Sequence, residues 1–172
     1  MKHREIQSAH EQSVLDSFRV YLNGQGVSLE VVNRPDPPDA IVKMDGKDCW
    51  IEITDAFQNS DWARSLTSYA ADDKDHQPYQ SRVIYEPDSR ACEIVKGVIL
   101  KKYEKNSMNG LLSQYGQGVL LVGVYTPLTS PEEIVEQAGE VMLAEIAAKT
   151  AVFKSIYLYR NTAAGHSFTR LL

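Results

Sequence analysis

The sequence predicts an α/β protein with one mixed β-sheet flanked by helices, in the order α-β-β-β-α-β-α-β. Segments whose apolar residues recur every three or four positions alternate with short β-branched runs, and turn residues separate them. The chain has 172 residues, of which 43% are hydrophobic and 24% are charged. Such a length and composition are typical of one globular domain. We therefore expect a single domain over residues 1–172, with no separate second domain.

The N-terminal part predicts one helix and a first strand. Apolar residues recur at helical spacing from Arg4 to Leu22, and Asn23-Gly24 ends the helix. Val27–Asn33 alternates as a strand. The prolines within Arg34–Pro38 forbid its continuation, because proline lacks the backbone donor and fixes φ.

Two further strands are predicted to form a hairpin. Asp39–Met44 and Cys49–Thr54 are rich in β-branched residues, and Asp45-Gly46 between them is a hairpin-turn signal. An antiparallel hairpin closed at this turn places Asp39 and Glu52 directly opposite each other.

The C-terminal half predicts two helices and two strands. Ser130 and Glu133 form a capping box, with proline at the first helical position between them. The predicted elements are a helix over Arg90–Lys105, a buried strand over Val119–Tyr125, a helix over Pro131–Lys149 and a strand over Ser155–Arg160.

Two segments lack a clear pattern. Phe57–Asp88 reads as a long solvated loop or a functional flap, in which Trp62, Leu66 and Tyr69 mark a short helix. For residues 161–172 the sequence does not distinguish disorder from a contact with another subunit.

Charge and cysteine content narrow the classes of function. With 18 Lys and Arg against 23 Asp and Glu, the net charge is -5, so a nucleic-acid site must be a local patch or use bound cations. Cys49 and Cys92 lack metal-ligand or redox spacing, which favours a reduced cytoplasmic protein. No apolar run approaches the roughly 20 residues of a membrane helix. The sequence contains no glycine-rich phosphate loop, so it does not predict a nucleotide cofactor.

Two carboxylates stand where a buried strand favours apolar residues. Asp39 opens the second strand, and Glu52 lies between Ile51 and Ile53 in the third. Facing like charges are unfavourable unless a cation lies between them. Mg²⁺ is commonly held by one or two carboxylates, which makes Mg²⁺ or Mn²⁺ the expected cation. The alternative is that Glu52 simply points to solvent.

Charged residues also fall on the apolar faces of two predicted helices. Glu11 lies within the apolar stripe of the first helix and needs a partner there, for which a nearby Lys or Arg is the simpler account. In the helix over Arg90–Lys105, Lys102 lies near the middle of the apolar face, Lys105 on its flank and Lys101 further round. A lysine in such a position can also extend to solvent.

Together these residues resemble the PD-(D/E)XK nuclease superfamily, which has the restriction endonuclease-like fold. Its pattern is an Asp at the start of one strand, commonly after Pro, and then acidic-x-Lys on the next strand. Pro38-Asp39 and Glu52-Ile53-Thr54 match it, except that Thr54 replaces the lysine. The family order αβββαβ resembles the predicted order as far as Tyr125. Glu11 resembles the glutamate that the family often carries on its first helix.

Some branches of this superfamily move the lysine to the following helix, where Lys102 would be the equivalent and Lys105 the second choice. The resemblance implies metal-dependent hydrolysis of phosphodiester bonds in nucleic acid, with DNA as the expected substrate. The metal ligands that it implies are Asp39, Glu52 and the carbonyl of Ile53. The catalytic set adds Lys102 and Glu11, and the substrate contacts are Thr54, Lys105 and Lys101.

The main alternative is a catalytically degenerate member of the same fold that binds nucleic acid or a protein. The replacement of lysine by Thr54 and the acidic charge balance favour it. A homodimer that cuts two strands is left open.

Overall fold

The computed structural model describes residues 3–58, 65, 68, 75, 76, 86–126 and 128–172, and it confirms the α/β class. One six-stranded mixed sheet has helices on both faces. Its strands are β1 (Leu29–Asn33), β2 (Ala40–Met44), β3 (Lys47–Phe57), β4 (Gly118–Tyr125), β5 (Phe153–Thr162) and β6 (Gly165–Arg170). The four helices of the described part are α1 (His3–Asn23), α2 (Pro87–Tyr103), α3 (Asn106–Tyr115) and α4 (Pro131–Ala147).

The strands lie in the sheet in chain order, β1 to β6. The pairs β1–β2, β2–β3 and β5–β6 are antiparallel, whereas β3–β4 and β4–β5 are parallel. In the β2–β3 hairpin Met44 pairs with Lys47 and Ala40 with Ile51. Asp45 and Gly46 in the turn have φ of 48° and 76°, which is the conformation of the tight hairpin turns that Asp-Gly favours. The predicted hairpin register is therefore confirmed.

Two hydrophobic cores cover the two faces of the sheet. One core packs α1 through Val14, Leu15 and Phe18 against all six strands. The other packs α2, α3 and α4 around Trp50 and the opposite side of β4. Because β4 is covered on both faces, seven of its eight residues are buried, as is typical of a strand in a parallel sheet.

Two elements were not predicted. The helix expected over Arg90–Lys105 runs from Pro87 to Tyr103, and α3 follows it as a separate helix. Residues 165–170 form β6, which packs Phe168 against Phe18 of α1 at a ring distance of 5.1 Å, so disorder is the wrong alternative for this part of the tail. The short helix marked by Trp62, Leu66 and Tyr69 lies outside the described residues.

Strand β3 is longer than its neighbour β2. Its pairing with β2 ends at Ile51, whereas its pairing with β4 continues to Phe57. Within the described residues, the segment from Glu52 to Phe57 therefore has a strand on one side only. Groups from α1 on one face and α2 on the other reach this single edge. None of the described helices is long and apolar enough to cross a membrane.

Candidate functional site

Asp39 and Glu52 lie side by side where β2 begins. Asp39 directly precedes Ala40, which is the first residue of β2 and pairs with Ile51 of β3 at the open end of the hairpin. Its Oδ2 accepts a hydrogen bond of 2.6 Å from the backbone N–H of Ile53. The carboxylate of Asp39 therefore closes the end of the hairpin next to Glu52, as the hairpin register predicts.

The pKa of the Asp39 carboxyl is raised from 3.8 to about 7, chiefly by burial and then by the neighbouring charge of Glu52. The bond from Ile53 N–H and the charge of Lys102 oppose this rise. The raised pKa is the expected sign of two carboxylates that share a poorly solvated site.

Glu52 is buried and is paired with a lysine from α2. Its side chain is 4% exposed, and Lys102 Nζ lies 2.6 Å from Oε1. Lys105 Nζ is 3.9 Å from the same oxygen. The other oxygen, Oε2, is buried without a hydrogen-bond partner among the described residues. Glu52 therefore does not point to solvent, and half of its carboxylate is open to a further ligand.

Glu11 forms an ion pair with an arginine. Its Oε2 lies 2.6 Å from Arg34 in a partly buried ion pair, and its Oε1 accepts a bond from Gln7. A partner of this kind is the simpler account that the sequence offered for a glutamate on the apolar stripe. Glu11 still lines the clefts on both sides of it.

The remaining residues implied by the resemblance lie at different distances from this centre. Thr54 is half-buried on the free edge of β3. The carbonyl of Ile53 points to the same side as its N–H, because a strand residue directs both groups to one neighbour. Lys105 is within reach of Glu52, whereas Lys101 is exposed on α2 without an ion pair among the described residues.

A cleft of about 510 Å³ opens beside this edge of β3. Its walls include His10 and Glu11 from α1, Thr54 and Asp55 from β3, Lys102 from α2 and Tyr125 from β4. An adjoining cleft of about 550 Å³ holds Asp39 and shares Glu11 with the first. Of the residues singled out from the sequence, Glu11, Ile53, Thr54 and Lys102 line the first cleft and Asp39 lines the second. Glu52, Lys101 and Lys105 line neither of these two clefts.

Sequence reasoning missed a second polar group in the first cleft. His10 Nε2 lies 3.2 Å from Asp55 Oδ2 and 3.2 Å from the hydroxyl of Tyr159. Tyr159 donates to Asp55 Oδ1 at 2.6 Å. One signal was present: Gly123 interrupts a buried apolar strand, and such a glycine marks a close approach.

The donor set fits a hard divalent cation in part. Two carboxylates, one orphaned buried oxygen and an adjacent carbonyl are the ligands that Mg²⁺ or Mn²⁺ takes, with waters in the remaining positions. Against this, the described residues contain no group of three or more His, Cys, Asp or Glu arranged to hold a metal ion. Any ion would therefore depend on two carboxylates, water and the substrate.

Comparison with known proteins gave no match to a family model, to a curated protein or to a solved structure.

Proposed function

We propose that the protein hydrolyses phosphodiester bonds in nucleic acid, with DNA as the substrate, and requires Mg²⁺ or Mn²⁺. The observation that carries the proposal is the cluster at the start of β2. Asp39 and the buried Glu52 lie together there, and Lys102 Nζ is 2.6 Å from Glu52. This combination of two acids and one lysine supports membership of the PD-(D/E)XK superfamily. The order α1-β1-β2-β3-α2-β4 supports it too, although α3 is inserted before β4.

Asp39, Glu52 and the carbonyl of Ile53 would hold the ion. When bound, it would polarise the scissile phosphate and lower the pKa of a bound water. The orphaned Oε2 of Glu52 and the raised pKa of Asp39 support this role, because both are relieved by a nearby positive charge. Glu11 is left out of the ligand set, because Arg34 occupies its carboxylate.

Lys102 takes the place of the lysine that the family has at the position of Thr54. It reaches the cleft from the penultimate position of α2 and lines the same wall as Thr54. A positive charge here stabilises the negative charge that develops on the phosphate in the transition state. Thr54 and Lys105 would contact substrate oxygens, the first by its hydroxyl and the second by its charge.

A second candidate function is a binding domain that has lost catalysis. The observation that favours it is that Lys102 already neutralises Glu52 and Arg34 neutralises Glu11. Two of the three acids at the site are thus paired with cations of the chain itself, which reduces the need for a metal ion. The two functions differ in metal affinity, which the binding domain does not need.

The test is calorimetric titration with Mg²⁺ and Mn²⁺, combined with cleavage assays on plasmid and single-stranded DNA. The variants are Glu52→Gln, which keeps the shape of the side chain, and Glu30→Gln, an exposed glutamate on β1, as the matched control. We expect Glu52→Gln to lose metal binding and cleavage together, while Glu30→Gln retains both. Wild-type protein that binds no ion at millimolar concentration would overturn the nuclease proposal in favour of the binding domain.

A further inference from the structure

The cluster of His10, Asp55 and Tyr159 is not used by the proposed chemistry, although two of its members line the same cleft as Lys102 and Thr54. Asp55 comes directly after Thr54 and, because side chains alternate along a strand, points to the α1 face. α1 places His10 over it. The cluster thus reaches the free edge of β3 from the face opposite to Lys102.

Among the described residues, hydrogen bonds engage only one nitrogen of the His10 imidazole. Nε2 faces both the carboxylate of Asp55 and the hydroxyl of Tyr159, each at 3.2 Å. Tyr159 gives its own proton to Asp55 at 2.6 Å, so both neighbours of Nε2 are acceptors for its N–H. The neutral ring therefore carries its proton on Nε2. Nδ1 is then a bare acceptor without a hydrogen-bond partner among the described residues.

Strand β4 is shaped to make room for this cluster. Gly123 pairs with Asp55 on one side and with Tyr159 on the other. A Cβ at position 123 would lie 2.4 Å from Asp55 Oδ1 and 2.8 Å from the rings of Tyr159 and Tyr125. Any larger residue would displace the carboxylate that orients His10. The cluster therefore requires glycine at position 123. The strand itself does not, because a glycine inside a strand weakens it.

The charges around His10 favour proton uptake. The bond to Asp55 raises the pKa of His10, and the charges of Asp55 and Glu11 act in the same direction, while burial opposes them. Tyr125 of β4 and His166 of β6 also face the ring, at centroid distances of 6.4 and 6.2 Å. Burial lowers the pKa of His166, and the charge of His10 lowers it further.

We propose that His10 is the general base of the reaction, taking a proton at Nδ1 from the water that attacks the phosphodiester, with Asp55 and Tyr159 as positioning residues. The inference rests on the proposed nuclease function. As the water oxygen forms its bond to phosphorus, its proton passes to Nδ1. The bond from phosphorus to the leaving oxygen breaks, the electron pair stays on that oxygen, and solvent protonates it. His10 then returns its proton to solvent.

The first test is the pH dependence of DNA cleavage in Mg²⁺. We expect the wild-type rate to rise with pH through the pKa of His10, because only the neutral ring accepts a proton. His10→Gln should lower the rate 10²–10⁴-fold, the usual contribution of general base catalysis, and abolish this limb of the profile. Asp55→Asn should move the limb to lower pH, because it removes the main cause of the raised pKa.

The second test measures the position of the proton and needs no activity. ¹⁵N NMR of the histidine rings at pH 9 should show His10 protonated at Nε2 and bare at Nδ1. The opposite tautomer would overturn the inference, because the free nitrogen would then face Asp55. The signals that are absent from the spectrum of His10→Gln identify those of His10 among the four histidines of the chain.

The outcomes separate this inference from the function on which it rests. Cleavage that is lost in Glu52→Gln but keeps its pH profile in His10→Gln overturns the general base and leaves the nuclease intact. Absence of metal-dependent cleavage by the wild type overturns both. A rate that falls in His10→Gln without any change in the pH profile shows a structural role for His10 and also overturns the inference.

Discussion

Glu52 and Asp55 are two acids on one strand that face opposite sides of the sheet, and their surroundings differ. Asp55 accepts a bond from Tyr159 at one oxygen and faces His10 at the other. Glu52 is more deeply buried, lies beside Asp39 and has one oxygen without a partner among the described residues. Asp55 belongs to a completed network that orients a histidine. Glu52 belongs to a centre that remains short of positive charge.

The largest expected effect comes from removing the lysine on the Glu52 side. Lys102→Met leaves a buried carboxylate beside Asp39 with only the more distant Lys105, so we expect a loss of about 2–4 kcal/mol in the free energy of unfolding. Lys101→Met, one position earlier on the exposed side of α2, should change it by less than about 0.5 kcal/mol. Urea denaturation at pH 7 measures both. Equal stabilities of the two variants would show that the ion pair with Glu52 contributes nothing.

The second largest expected effect comes from filling the space beside Asp55 at position 123. Gly123→Ala places a methyl group 2.4 Å from Asp55 Oδ1, and we expect a loss of about 1–3 kcal/mol from overpacking. The control is Gly110→Ala in α3, where a Cβ meets nothing within 4 Å. There the better helix propensity of alanine should stabilise the protein by about 0.5–1 kcal/mol. Thermal unfolding distinguishes the two signs, and a neutral Gly123→Ala would contradict the close approach.

The shortage of positive charge around Glu52 predicts a stabilising variant. The folded pKa of Asp39 is about 7 against 3.8 as its ordinary value, so the folded state binds a proton more tightly than the unfolded chain does. Stability is therefore lost as pH rises from about 4 to 7. Asp39→Asn removes this loss and should raise the free energy of unfolding at pH 8 by about 1–2 kcal/mol, less than the full shift implies because Asp39 is partly solvated. The advantage should vanish near pH 4.

Asp48→Asn is the control for this comparison, because Asp48 is exposed on the neighbouring strand β3, outside both clefts. It should show no comparable gain at pH 8. If Asp39→Asn were destabilising at every pH, burial of the Asp39 charge and its repulsion from Glu52 would together be too weak to matter.

The smallest expected effect on the free energy of unfolding comes from replacing His10. The raised pKa of His10 adds stability that is complete below pH 6.5 and is lost as pH rises through the folded pKa. The lowered pKa of His166 acts in the opposite sense, since its burial costs stability at acid pH. His10→Gln should therefore remove the decline in stability that begins above pH 6.5. Chemical denaturation at pH 6 and pH 8 measures it, and an unchanged difference would contradict the pairing with Asp55.

The sequence allowed the Glu52 side to be predicted because its determinants are local. The turn at Asp45-Gly46 sets the hairpin register, and that register brings Asp39 to Glu52. Helical periodicity alone placed Lys102 on the buried face of α2. These are short-range rules, and the short-range pairing they predict is what the structure contains.

The Asp55 side could not be predicted in the same way. His10 and Tyr159 are 149 positions apart in the chain, and their contact depends on how α1 crosses β5 and β6. The aromatic residues that set this crossing, Phe18 and Phe168, meet only after β6 has formed. Residues 165–170 carried too weak a pattern to predict that strand. The separate helix α3 was missed because the predicted helix ended at Lys105 and the segment that follows, Asn106–Tyr115, is rich in asparagine, serine and glycine, which are weak helix formers.

The ion pair between Lys102 and Glu52 has a consequence for the proposed metal. The lysine is an internal counter-ion at Oε1 of Glu52, so a divalent cation that bound at Oε2 would share the carboxylate with a positive charge that is already there. Neutralising Lys102 would then weaken the metal-free fold and tighten the hold on the cation. Stability without metal and affinity for the metal are therefore opposed at the carboxylate of Glu52.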